Sequence, residues 1–177
     1  MAPPKRDADY LEYVTAKSPW LRRIAYLLCQ DVHRADDLVQ SAITKLYVSW
    51  PKVAKVQHPD AYARTILINC FLAEQRTSWW KRVSLRSEPE EAQVTAAAPV
   101  ADPDLRLDLR AALAAIPPRQ RTALVLRFYC DLSVQETAEL MHCSTGNVKS
   151  QTSRGLAALR RILDDSSMRE DAKEYRS

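Results

Sequence analysis

Few side chains in this chain are spaced for making or breaking bonds. The histidines His33, His58 and His142 lie far apart, and with only two glycines in the chain there is no glycine-rich phosphate loop. Asp36 and Asp37 form a carboxylate pair, but neighbours on a helix point about 100° apart and cannot serve as an acid–base dyad. Their plainer reading is a solvated helix start, favoured by the helix dipole. Cys29, Cys70, Cys130 and Cys143 show no Cys-x-x-Cys spacing and no clustered histidine partners. Each therefore reads as a small buried apolar residue, and no metal is expected. These residues indicate neither an enzyme nor a cofactor.

Side chains suited to holding nucleic acid are better placed. Residues 132–156 read as two helices joined by a tight turn. Ser133 followed by Glu136 is a capping box, in which hydroxyl and carboxylate each take a backbone N–H at the helix start. Ala138 is small enough to let a second helix cross close by. His142-Cys143-Ser144 ends the first helix, and Ser144 or Thr145 caps the next. Val148, Leu156, Leu159 and Leu163 recur at helical spacing and face inward, which leaves Lys149, Ser150, Ser153, Arg154 and Ala157 on the free face. That is the layout of a helix-turn-helix whose second helix enters a DNA major groove. The alternative is an ordinary helical hairpin with a solvated face. Upstream, Trp79 and Trp80 beside Lys81 and Arg82 suit stacking on unpaired bases while the cations hold phosphate. The alternative there is one tryptophan closing a core and the other incidental.

The elements that must position these residues are helices. Scarce glycine and abundant alanine, leucine and arginine disfavour sheets, so the expected fold is all-α. The periodicity predicts two small helical domains joined by a flexible acidic linker. In the first, residues 7–82, Tyr10, Leu11 and Val14 mark a short helix, and Pro19 opens a second with Trp20, Leu21, Ile24, Leu27 and Leu28 buried. A third begins near His33 and stops at Pro51. The stretch from Pro51 to Pro59 is an ordered loop, and Pro59 opens a fourth helix that buries Tyr62, Ile66, Leu67, Cys70 and Phe71. Residues 83–103 lack periodicity and read as the linker. The second domain, residues 104–163, opens with Leu105, Leu109, Leu113 and Ile116. A helix from Pro118 to Tyr129 then buries Leu124, Val125 and Phe128, ahead of the helix-turn-helix. Residues 164–177 read as a disordered or frayed tail.

Charge follows the same division. Residues 60–86 carry five bases against two acids, residues 87–104 five acids and no base, and residues 145–163 four bases and no acid. Two positive patches flanking an acidic strip suggest two contacts with a polyanion and a connector that avoids it. No apolar run is long enough to span a bilayer and no signal peptide is evident, so the expected location is the cytoplasm, with reduced thiols and no membrane contact.

Both lobes, in this order, resemble the sigma-70 family of bacterial RNA polymerase sigma factors. Within it they look like the minimal extracytoplasmic-function (ECF) group, which retains only domains σ2 and σ4. The run from Ala35 to Tyr47 is similar to the family's region 2.2, His58 to Asn69 to regions 2.3 and 2.4, Leu113 to Tyr129 to region 4.1, and the helix-turn-helix to region 4.2. Ile-Leu-Ile-Asn-Cys and Trp-Trp-Lys-Arg resemble an actinobacterial SigE-like subgroup. Two positions depart from the pattern: Ser41 stands where glutamate is usual, and Gln151 where arginine is common.

The resemblance implies a factor that binds core RNA polymerase, at its β′ clamp and β flap, and directs it to promoter DNA, with an anti-sigma factor as a possible partner. Polymerase binding would fall to Asp36, Asp37, Leu38, Gln40 and Ser41. A melted −10 element would be read by Lys52, Lys55, His58, Arg64, Asn69, Arg76, Trp79, Trp80, Lys81 and Arg82. A duplex −35 element would be read by Thr145, Asn147, Lys149, Ser150, Gln151, Ser153 and Arg154. An amide at Asn69 suits a flipped base because it both donates and accepts; the alternative has Asn69 packing against Tyr62 or Phe71. The rival from another class is a stand-alone helix-turn-helix regulator whose first lobe senses or dimerises. It leaves that lobe's own basic, tryptophan-bearing helix unexplained.

Overall fold

The computed structural model describes residues 5–84 and 107–174, with side chains over 6–78 and 109–165. Every regular element among them is a helix, as the composition predicts. Contacts divide the chain into two units, Met1–Ala98 and Pro99–Ser177. From residue 85 onward the acidic connector expected at 83–103 lies outside the described residues.

The first unit packs three long helices, α1 (Lys5–Cys29), α2 (Val32–Val53) and α3 (Pro59–Ser84). The two short helices expected before residue 30 are one. Pro19 cannot donate to the Thr15 carbonyl, but both residues are exposed, so that carbonyl can be solvated and the helix continues. Gln30 then takes a left-handed conformation (φ 56°) and Asp31 caps α2 by accepting from the Arg34 N–H at 2.9 Å. Pro51 likewise fails to stop its helix, which runs on to Val53. The Tyr47 carbonyl that loses a donor to Pro51 accepts one from the Arg6 guanidinium on α1, at 3.4 Å. The loop is thereby shortened to residues 54–58.

Leu21, Ile24, Leu28, Leu38, Leu46, Leu67, Ile68 and Phe71 are the fully buried centre of this unit. Around Tyr10 the core is aromatic. Its ring meets Tyr47 edge-on at 4.9 Å and Trp50 at 5.5 Å, and its hydroxyl donates to the Ile43 carbonyl at 2.6 Å. The start of α3 is tied to α1 through Asp60, which accepts from the Tyr13 hydroxyl (2.9 Å) and from Lys17 (2.6 Å).

The second unit contains α4 (Leu107–Ala115), α5 (Pro118–Leu124), a π-helical turn (Val125–Tyr129), α6 (Val134–Met141) and α7 (Thr145–Glu174). Arg121, buried on α5, donates to the Ile116 carbonyl at 3.2 Å and more loosely to Leu113 and Ala114 at 3.4 Å. It thus serves the last carbonyls of α4, which the following prolines cannot. Phe128, expected in the core, is 59% exposed. The π turn holds an extra residue, closed by Cys130 N–H to the Val125 carbonyl, and so carries Phe128 off the buried stripe while Leu126 turns in. The tail expected to fray from Asp164 is helical to Glu174. That stretch lacks glycine and proline, and Asp165 stands four residues before Arg169, a spacing that favours helix.

Two outcomes follow. Arg121→Met removes a buried donor from up to three carbonyls and should destabilise the second unit by about 1–3 kcal/mol. Circular dichroism should show its transition at lower denaturant while tryptophan fluorescence, which arises only from Trp20, Trp50, Trp79 and Trp80, does not move. Asp60 gives a pH dependence. Partial burial pushes its carboxyl up, but the Lys17 and Tyr13 hydrogen bonds outweigh burial and hold it below the ordinary range. A depressed folded-state value adds stability that is present above about pH 4 and is lost as pH falls through it. Tryptophan-monitored unfolding of the wild type should therefore weaken more steeply below about pH 4 than that of Asp60→Asn.

Candidate nucleic-acid interface

The helix-turn-helix is built by its caps. The Ser133 hydroxyl accepts from the Glu136 N–H at 3.1 Å and the Glu136 carboxylate accepts from the Ser133 N–H at 2.7 Å, completing the predicted box. Helix α6 ends with His142 left-handed (φ 51°), and the N–H groups of His142 and Cys143 return to Glu139 and Ala138. This paired closure reverses the chain sharply. Of the two caps expected for α7, Ser144 is the one formed, its hydroxyl accepting from Asn147 N–H at 3.1 Å. Val148 is fully buried, and Thr152 returns its hydroxyl to the Val148 carbonyl. Gly155 lies close against α5. A Cβ there would stand 3.0 Å from Leu124 Cδ1 and 3.4 Å from Gln120 Cβ, tighter than ordinary contact.

With that side of α7 seated, Thr145, Asn147, Lys149, Ser153 and Arg154 are exposed, and Ser150 and Gln151 are half-buried. All seven lie within three turns of the helix start. Cys143 is half-buried rather than buried; the other three cysteines are in the core.

In the first unit, Lys52, Lys55 and His58 are exposed around the short loop, and Asn69 and Arg76 are exposed on α3. Asn69 is therefore not buried with Phe71, although it shares its face of α3 with Tyr62. Arg64 is half-buried. Trp79, Trp80, Lys81 and Arg82 continue α3, and their side chains lie outside the described residues. Tyr62 corrects the sequence reading: expected in the core, it is 42% exposed. At 100° per residue it shares one narrow face with Thr65, Asn69 and Arg76. Periodicity could have found this, because Ala63, Leu67 and Cys70, not Tyr62, continue the buried stripe.

The start of α2 separates the five residues expected to meet the polymerase. Asp37, Gln40 and Ser41 are exposed. Leu38 is fully buried and belongs to the core, so it can shape that surface only by holding the helix in place. Asp36 is engaged within the chain: Arg22 on α1 grips its carboxylate with two nitrogens, at 2.5 and 2.7 Å. The exposed face continues through Thr44, Lys45 and Val48, the last 75% exposed, none of which sequence reasoning singled out. Among the described residues no group of three or more His, Cys, Asp or Glu could hold a metal, and no helix is long and apolar enough to cross a membrane.

Comparisons with known proteins match both units. The family model Sigma-70 region 2 covers residues 13–81, and Sigma-70, region 4 covers residues 106–159. The RNA polymerase sigma-E factor of Streptomyces avermitilis is 35% identical over 161 residues, spanning 88% of this chain and 86% of its own length. The ECF RNA polymerase sigma factor EcfG of Rhodopseudomonas palustris is 28% identical over 151 residues, spanning 85% of this chain and 82% of its own. Among solved structures, the sigma factor RpoE of Bartonella quintana, crystallised in complex with the anti-sigma factor NepR, superposes with a TM-score of 0.66 at 26% identity. That match covers 88% of this chain and 97% of the other. A capped helix-turn-helix, a second basic helix in its own unit, and matches along most of the length lead to one assignment: the chain belongs to the sigma-70 family of RNA polymerase sigma factors, in its extracytoplasmic-function group.

Proposed function

We propose that this chain binds core RNA polymerase and selects promoters by reading two DNA elements in different states. The observation that carries this is the pair of exposed polar faces, one on α7 and one on α3, in separate units that each match a sigma-70 domain. Helix α7 fits a duplex −35 element, because a helix in the major groove can distinguish all four base pairs by their edges. Lys149, Ser150, Ser153 and Arg154 read those edges, and Thr145, Asn147 and Gln151 flank them. The exposed face of α3 and the loop at 54–58 fit a melted −10 element. Asn69 captures one flipped base, while Lys52, Lys55, His58, Arg64, Arg76 and the segment from Trp79 to Arg82 hold the strand.

Polymerase is held through Asp37, Gln40 and Ser41 against the β′ clamp, with Asp36 beside them in its ion pair with Arg22 and Leu38 holding the helix from its buried side, and through the second unit against the β flap. Bond-making chemistry belongs to the polymerase, so this chain is not itself an enzyme and needs no cofactor. It works in the cytoplasm, where both partners are. The solved relative bound to its anti-sigma factor supports an anti-sigma partner here as well.

Run-off transcription with core polymerase on a promoter library tests the whole reading: the chain should confer initiation on a subset of sequences sharing −10 and −35 elements. Asn69→Ala should flatten base preference at one −10 position by roughly 5- to 100-fold, since a wrong base there leaves polar groups unpaired. If no position loses preference, Asn69 does not capture a base. For polymerase, the double change Asp37→Lys and Gln40→Ala should weaken core binding about tenfold or more while circular dichroism stays unchanged. Unaltered affinity in gel filtration or fluorescence titration would remove α2 from that interface.

A further inference from the structure

Arg154 and Arg161 stand seven residues apart on α7, two helical turns, and therefore share a face. Ser150, Arg154, Ala157 and Arg161, at steps of four, three and four, form one continuous stripe. Both arginines line a shallow groove of about 330 Å³ between α7 and the start of α5, together with Pro117, Gln120, Ala157 and Ala158. Among the described residues neither guanidinium forms an ion pair. The next acids along α7, Asp164 and Asp165, form no ion pair with Arg161.

We propose that this groove is a seat for a DNA backbone phosphate, held by the Arg161 guanidinium with the Gln120 amide as a second donor. The inference rests on α7 reading duplex DNA, and it adds a contact beyond the residues that face base edges. Three features favour a phosphodiester. The groove opens on the stripe that carries Ser150 and Arg154. Ala157 and Ala158 in its lining are small, which lets a sugar–phosphate strand come close. Its unspent cation is arginine, whose planar fork matches phosphate oxygens. Arg161 lies about 10 Å along the helix axis from Arg154. It can thus touch the wall of the groove that the reading residues enter, where contacts position the protein and carry no sequence information.

The test uses the full chain bound to core polymerase. Fluorescence anisotropy follows binding to two labelled duplexes across about 50–200 mM KCl, one with a −35 element recovered by run-off selection and one with that element scrambled. Arg161→Ala should weaken both duplexes alike, by roughly 3- to 10-fold at low salt, and should make the plot of log affinity against log salt shallower by about one. Arg161→Lys should recover the slope with only part of the affinity, because a point charge replaces a fork. Gln120→Ala should lower affinity and leave the slope alone.

An unchanged slope in Arg161→Ala would overturn the seat. So would a changed ratio between the two duplexes, which would make Arg161 a base reader. Loss of binding to labelled polyglutamate with duplex binding intact would make the groove a site for an acidic protein segment, and would overturn it too. A wild type that does not distinguish the duplexes sinks the −35 reading instead. In that case a slope shift in Arg161→Ala would still establish the phosphate contact.

Discussion

Helix α7 can turn a polar face outward only because its other side is seated on α5 with no side chain between them at Gly155. A Cβ placed there would press within 3.0 Å of Leu124, itself buried. The seat has three parts that depend on one another. Val148 fills the core beneath the first turns of α7. Arg121 closes the end of α4, so that Pro118 can start α5 in the right place. The π turn after Leu124 brings Leu126 inward and feeds the chain into α6. Remove any of them and the polar residues remain in the sequence, but their direction is no longer determined.

The first unit meets a similar demand differently. Its α3 face is long and polar, so stability must come from the opposite side and from both ends. Leu67, Ile68 and Phe71 supply the side. Asp60 supplies the beginning, through Tyr13 and Lys17, and so also anchors the five-residue loop that precedes it. Burial and the neighbouring carboxylate raise the Tyr13 pKa, keeping the phenol protonated and able to donate. The hairpin of α1 and α2 is locked by the Tyr10 cluster and by the two-pronged grip of Arg22 on Asp36. Each exposed ion pair is worth little alone. Their value is geometric, since they set which carboxylates remain available on the surface.

Much of this was legible in the sequence, and the failures have physical causes. Capping residues and leucine spacing place α6 and α7 well because both signals are local. Prolines misled twice. Pro19 and Pro51 look like helix boundaries, yet an exposed carbonyl in one case and Arg6 in the other deal with the missing donor, and only tertiary structure shows either. Phe128 was misplaced because a π turn breaks the 3.6-residue period that the reading assumed. Tyr62 was misplaced because apolar character outweighed its position on the helix. Among the residues carried over by resemblance, Leu38 shows its limit: a motif runs along the chain, whereas buried positions recur within it every third or fourth residue.

The length of α7 has a mechanical meaning. Its 30 residues make a rod of about 45 Å, with the reading end and the Gly155 seat separated by only the first third. The remainder continues past the seat, half-buried in part as far as Leu163 and helical to Glu174, as the longer arm of a lever. A partner that grips this distal arm needs no contact with DNA-facing residues to alter their position. A tilt of about 10° about the seat would swing the first turn sideways by roughly 2–3 Å, on a rise of about 1.5 Å per residue. Hydrogen bonds to base edges tolerate far less than that. The close fit at Gly155 is therefore a fulcrum, and slackness there would be amplified at the end that carries the polar residues from Thr145 to Arg154.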